Sequence, residues 1–272
     1  MIVSAEWLYS CNKEVVILDA RHDLMDEDKG RRSYEKEHIP GALFIDMASE
    51  MSDRSLNHGG RYPMPSITRI ANIFSSKGIN ENTEVVIYDG NSGGMAAARA
   101  WWMLSYIGNN HAAILDGGFE DWKNKGYPTT NEIPEQTTVH FQPSVNHSFI
   151  VKAEDVYERI EEAILIDARS ADRFLGENEL LDAQAGHIPG ALNYFWKGVL
   201  TETGKWKTEA ELQHHFKDVS KEKELIVYCG SGISACPNVM ALLKAGYTNV
   251  KLYPGSWSDW ITHDHYPVAK GK

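Results

Sequence analysis

A cysteine stands where an apolar run gives way to a glycine-rich turn in "LIVYCGSGISAC", residues 225–236. The run is short and aliphatic and reads as a buried strand, while "ACPNVMALLKAG" beyond the turn reads as a helix that ends on a glycine. Where a strand hands over to a helix in this way, the ligand crevice lies outside the carboxyl end of the strand. Cys229 then faces the backbone N–H groups of the turn and the positive end of the following helix, and both favour the nucleophilic thiolate. Gly230 and Gly232 let the backbone come close to whatever the sulfur attacks. Nucleophilic sulfur chemistry is what these residue types, in this order, can do.

Other readings of the stretch carry less. A cysteine at a strand end also serves as a small buried hydrophobe. The run "GSGISA" matches the dinucleotide fingerprint G-x-G-x-x-A. It lies in the last third of the chain behind a cysteine, however, with no convincing acidic residue at the end of a second strand about 20 residues further on. A thiol phosphatase uses a longer loop with an arginine that grips the phosphoryl oxygens, and here the sixth residue after Cys229 is Ala235.

The elements that must position Cys229 are written twice. "VVILDARHD" (15–23) is answered by "AILIDARSA" (163–171), and "HIPGAL" occurs at His38 and again at His187. "VVIYDGNSGGMA" (85–96) repeats the outline of the cysteine loop with Asp89 in place of Cys229, and "LDGGFEDWKNKGYP" (115–128) is answered by "YPGSWSDWITHDHYP" (253–267). Four blocks in one order define an internal duplication. Each copy spans about 130 residues, an ordinary domain size. The expected division is a first domain over 1–132, a polar join over 133–147 and a second domain over 148–272. The stretch "SDRSLNHGGRYPMPS" (52–66) is an insertion particular to the first copy. The apolar runs are continuous rather than alternating, as in strands covered on both faces. Between them lie helical patterns such as "SITRIANIFSSKGI", with Ser66 as N-cap and Ile70 and Phe74 on one stripe. The predicted fold class is α/β, with a parallel sheet and helices on both of its faces in each copy.

Composition narrows the function. Among 272 residues, 42% are hydrophobic and 24% charged, enough for one or two packed cores. A net charge of -11, with no cluster of basic and aromatic residues, argues against a nucleic-acid partner. The start has no basic segment followed by an apolar one, and no run approaches the roughly 20 apolar residues of a membrane span. The expectation is a cytoplasmic protein with no membrane partner. Cys11, Cys229 and Cys236 are too few for a disulfide framework and lack the spacing of a zinc site, so free thiols are expected, with no metal and no organic cofactor.

Taken together, "DAR", "HIPGA", the strand-end loop and the tryptophan segment, all present twice, resemble the tandem rhodanese-domain sulfurtransferases over nearly the whole chain. The resemblance implies an inactive first domain and an active second domain whose cysteine, here Cys229, carries a persulfide. In that family the thiosulfate branch reads C-R-K-G-V-T in the loop and the 3-mercaptopyruvate branch C-G-S/T-G-V-T. Cys229-Gly230-Ser231-Gly232-Ile233-Ser234 is similar to the second, and residues 230–234 become expected donor contacts. Thiosulfate is a compact dianion whose desolvation two basic loop residues offset, whereas a neutral Gly-Ser pair leaves that work to backbone dipoles.

The resemblance further implies a carboxylate clamp of two arginines. Arg173 in "DARSADRF" matches the first, while Leu181 and Asp182 stand where the second is expected. An acidic side chain there repels an anionic donor unless it points outward. His38 matches a histidine that would sit near Ser231 and protonate a leaving enolate, although His187 has the same neighbours and a repeated histidine more simply fixes a turn. Asp19 with Arg21 and Asp167 with Arg169 read as structural pairs, and Trp257 and Trp260 as core or pocket wall. Cys236 is placed about two turns along the following helix, inert. Asp89 cannot take up sulfur, and its carboxylate can satisfy the N–H groups of its own loop. The expected activity moves a sulfane sulfur from a small donor, 3-mercaptopyruvate or thiosulfate, to a thiol, to cyanide or to a thioredoxin-like dithiol. The alternatives are a thiosulfate-preferring rhodanese and a persulfide carrier between protein partners.

Overall fold

In the computed structural model, which describes residues 1–90 and 94–271, the aliphatic runs pair as parallel strands in two sheets. Residues 91–93 of the first-copy loop lie outside the described part. The first sheet contains β1 (Ile2–Val3), β2 (Val16–Asp19), β3 (Ala42–Phe44), β4 (Val85–Tyr88) and β5 (Ala112–Leu115), in the order β1-β5-β4-β2-β3. The second contains β6 (Ile164–Asp167), β7 (Leu192–Asn193), β8 (Leu225–Tyr228) and β9 (Val250–Leu252), in the order β7-β6-β8-β9. Ile150 adds one parallel bridge to Leu252, where β1 adds a strand to β5. The two sheets therefore have the same topology.

The first unit carries helices α1 (Ala5–Tyr9), α2 (Lys29–Lys36), α3 (Ile67–Ser76), α4 (Ala96–Ile107) and α5 (Gly118–Asn124). The second carries α6 (Ala153–Glu158), α7 (Ala171–Leu175), α8 (Glu209–His215), α9 (Cys236–Lys244) and α10 (Ser256–Trp260). Every residue of β4 and of β8 is buried, so the central strands are covered on both faces, as their continuous apolar sequences require. Ser66 caps α3 by accepting the Arg69 N–H, and α9 stops at Gly246, whose φ of +88° only glycine adopts without strain. Among the described residues no helix is long and apolar enough to cross a membrane.

The units divide the chain less simply than two consecutive halves. Residues 1–53, 65–146 and 202–206 form the first, and residues 54–64, 147–201 and 207–272 the second. The stretch read as a join runs along the first unit up to residue 146. Val139 donates its N–H to Ser75 O, Phe141 is buried, and the N–H groups of Ser144 and Asn146 close onto Ile107 and Tyr106. In each unit the aspartate ending the first repeated block's strand lies opposite a tyrosine, Asp19 opposite Tyr88 and Asp167 opposite Tyr228. Each aspartate also grips the arginine two residues on through both carboxylate oxygens. These pairs are structural, as expected.

Candidate active site

Strand β8 delivers Cys229 to its carboxyl end, where the residue is 1% exposed. The turn that follows is longer than the sequence suggested. Residues 230–235 are not helical, and Cys236 is the first residue of α9, its thiol donating to Gly232 O at 3.3 Å. The Cys229 sulfur accepts the Gly232 N–H at 3.1 Å. Gly232 has φ of +75°, and a Cβ there would fall 2.2 Å from Pro254 O, so glycine alone lets this turn close.

Helix α10 backs the loop. The N–H groups of Trp257 and Ser258 donate to the carbonyls of Cys229 and Gly230 at 3.0 and 2.9 Å. The first unit makes the same two bonds, from Phe119 and Glu120 to Asp89 and Gly90. One position differs. Gly118, with φ of +61°, is matched by Ser256 at +56°, the only non-glycine residue with positive φ among the described ones. The second unit thus tolerates about 1 kcal/mol or more of backbone strain to hold a hydroxyl there. That hydroxyl accepts the Cys229 N–H at 3.1 Å, donates to Tyr253 O at 2.9 Å, and lies 4.0 Å from the Cys229 sulfur.

Two guanidinium groups reach the loop. Arg173, on α7, binds Glu179 through Nε and Nη2, and Asp182 through Nη2, all at 2.9 Å. Arg61 binds the other oxygen of Asp182 through Nη1. A Cβ built on Gly230 would lie 2.9 Å from Arg61 Nη2, 3.3 Å from Arg173 Nη2 and 3.4 Å from Arg173 Nη1, which measures how close both cations stand to the turn. Asp182 therefore points inward, with its side chain only 2% exposed, and is paired rather than repulsive. Glu179 is equally buried and also meets Arg169. Around the loop, Arg61 and Arg173 balance Asp182 and Glu179. Burial, and then the like charge of Arg173, pull the proton affinity of Arg61 below the ordinary arginine range, although a guanidinium stays charged at any working pH. For Arg169 burial acts in the same direction, but the Asp167 carboxylate outweighs it and holds the proton more tightly than usual.

The remaining expected residues are distributed as follows. Ser231 and Ile233 are buried in the turn and Ser234 is half-buried; the hydroxyls of Ser231 and Ser234 make no hydrogen bond among the described residues. His38 belongs to the first unit. Its ring stacks on Tyr34, Nδ1 lies 2.6 Å from Tyr34 O, and Nε2 lies 3.1 Å from Glu132 O. His187 repeats the arrangement, stacked on Phe174 with Nδ1 2.7 Å from Phe174 O. Instead of the proton donor that the resemblance suggested, His38 is a turn-fixing residue with both ring nitrogens facing main-chain carbonyls. Trp257 and Trp260 are fully buried, their indole N–H groups donating to Gln184 O and Pro267 O. In the first unit the Asp89 carboxylate accepts the Met95 N–H at 3.1 Å, so it does bind within its own loop.

Sequence reasoning did not reach Arg61 or Ser256. The signal for Ser256 was in the repeat, as a serine facing a glycine. For Arg61 it was the unexplained insertion, which carries two arginines, Arg54 and Arg61, outside the repeated blocks.

A buried thiol in a hydrogen-bonding turn, at the end of a parallel strand and beside two cations, defines a site for sulfur chemistry on small anions. The rhodanese-like domain family matches the chain twice, over residues 4–125 and 152–263. A probable 3-mercaptopyruvate sulfurtransferase of Pseudomonas aeruginosa is 36% identical, over 95% of this chain and 93% of that protein. The thiosulfate sulfurtransferase of Gallus gallus is 32% identical, over 96% and 93%. The crystal structure of the 3-mercaptopyruvate sulfotransferase SseA of Escherichia coli superposes with a TM-score of 0.83 at 35% identity, covering 94% of this chain and 98% of that one. The chain belongs to the tandem rhodanese-like sulfurtransferases.

Proposed function

We propose that the second unit takes sulfur from a small anionic donor onto Cys229 and passes it to a nucleophilic acceptor. The Cys229 thiolate attacks the thiol sulfur of 3-mercaptopyruvate, the carbon–sulfur bond breaks, and the electron pair leaves on carbon as the enolate of pyruvate. The acidic S–H proton moves to that carbon, so the products are pyruvate and the Cys229 persulfide anion. With thiosulfate the sulfur–sulfur bond breaks instead and sulfite leaves. Cyanide, a small thiol or a thioredoxin-like dithiol then attacks the outer sulfur and releases the Cys229 thiolate, giving ping-pong kinetics. The Gly232 N–H and the Ser256 hydroxyl stand where the charge on sulfur develops.

The observation that carries this reading is the contrast within one chain: at the same strand end, Cys229 holds its sulfur against a turn N–H where Asp89 holds a carboxylate. The balanced charges around Gly230 suit a carboxylate monoanion better than a dianion, which favours 3-mercaptopyruvate over thiosulfate. A reducing, cytoplasmic setting keeps such a thiol free. The test is a comparison of kcat/KM for the two donors on one preparation. A higher value for 3-mercaptopyruvate supports the assignment, and a thiosulfate preference overturns it.

A further inference from the structure

Arg61 is the cation that the second domain's own sequence does not supply. It comes from the insertion in the first copy, yet residues 54–64 pack as part of the second unit. Three features fix it there. The Gly59 N–H donates to Asp259 Oδ1 at 2.9 Å, the Arg61 N–H donates to Ser258 Oγ at 3.1 Å, and Gly60, with φ of +78°, has no room for a side chain against Gly255 O and Ser258 Oγ. Asp182 then bridges the two guanidiniums, one carboxylate oxygen to each. This leaves Arg61 Nη2 and Arg173 Nη1, which hydrogen-bond to none of the described residues, 2.9 and 3.4 Å from where a Cβ on Gly230 would lie. Two converging N–H donors of fixed planar groups match the two oxygens of a carboxylate.

We propose that Arg61 is the second donor-binding arginine of this site, completing with Arg173 a clamp for the donor's carboxylate, and that Asp182 is the positioning residue that holds the pair in register. The position expected to carry an arginine has become the anion that orients one brought in from elsewhere in the chain. This inference rests on the donor being received at Cys229, and its test is built to stand apart from that reading. Iodoacetate and iodoacetamide are nearly the same size and alkylate the same thiolate, so the ratio of their rates at Cys229, read by peptide mass spectrometry, cancels both access and thiol ionisation. What remains is attraction for a carboxylate. In the unsubstituted protein the ratio should exceed that of the neutral thiol 2-mercaptoethanol. In Arg61→Gln it should fall by about tenfold, and in Arg61→Lys, which keeps the charge but not the planar fork, by several-fold. KM for 3-mercaptopyruvate should rise in parallel. Ratios within twofold of the unsubstituted protein in both variants would overturn the proposal; should Arg61→Gln fail to fold, an unchanged ratio in Arg61→Lys does so alone. Since alkylation needs no sulfur donor, a protein that keeps the ratio but never loads sulfur refutes the transfer reading instead.

Discussion

Position 256 shows what one residue costs and does. Both copies need left-handed backbone there, and the first uses glycine, while the second keeps a serine under strain with its oxygen 4.0 Å from the Cys229 sulfur. Ser256→Gly should therefore be more stable than Ser256→Ala by about 1 kcal/mol in denaturant titration, because alanine keeps the strain and loses the hydroxyl. Both variants should lose roughly tenfold or more in kcat/KM, because the Cys229 N–H and the sulfur lose their common partner. An active Ser256→Gly enzyme would show the hydroxyl to be incidental. At this scale Cys229, the glycines of its turn and Arg173 were legible in the sequence, since each sits in a short local pattern. Ser256 was not, because its place beside the thiol depends on a contact 27 residues away. The role of His38 was misleading for a physical reason: the hydrogen bonds that repeat it in both copies are local ones to main-chain carbonyls.

Among the elements, the central strands follow from their continuous apolar runs, and α3 and α9 from apolar periodicity with an N-cap serine and a terminal glycine. The length of the active turn does not. Six non-helical residues precede α9, which puts Cys236 at the helix start, bonded to the turn, rather than two turns beyond it. Segment 54–64 was invisible for a related reason: its two glycines and its proline announce a loop but not the surface it covers. Gly60→Ala should expel this segment from α10, because its Cβ would fall 2.4 Å from Gly255 O. We expect a loss of about 2 kcal/mol or more in unfolding free energy, together with the loss of carboxylate selectivity that Arg61→Gln shows. Helix α8 carries a pH effect. Burial, with Lys207 nearby, holds the proton affinity of His215 below its ordinary value. The unfolded chain thus takes up this proton first, and the stability His215 contributes is lost as pH falls below about 6.5. His215→Gln should lose less stability than the parent between pH 7 and pH 5, as read from urea midpoints; parallel pH curves would contradict the assignment.

Over the whole molecule, one topology occurs twice and only one copy carries a thiol at the end of its central strand. The difference is larger than Asp89 against Cys229. A Cβ on Gly230 meets two guanidiniums, while one on Gly90 meets none of the described residues within 4 Å, and Ser256 is matched by Gly118. Placing a thiol alone in the first copy should accordingly not create a second site: Cys229→Ser/Asp89→Cys should stay at least about a thousandfold below the parent in transfer. The duplication and the α/β class were readable from the repeated blocks. The exchange of segments 54–64 and 202–206 between units was not, because no sequence period marks which core a loop joins. The central claim is that Cys229 carries the transferred sulfur, and the most direct measurement is the intact mass after donor treatment and desalting. The parent should gain one sulfur atom, mapped to the peptide containing Cys229 and removed by cyanide, and Cys229→Ser should gain none. A parent that gains no sulfur, or a Cys229→Ser variant that still does, would contradict it.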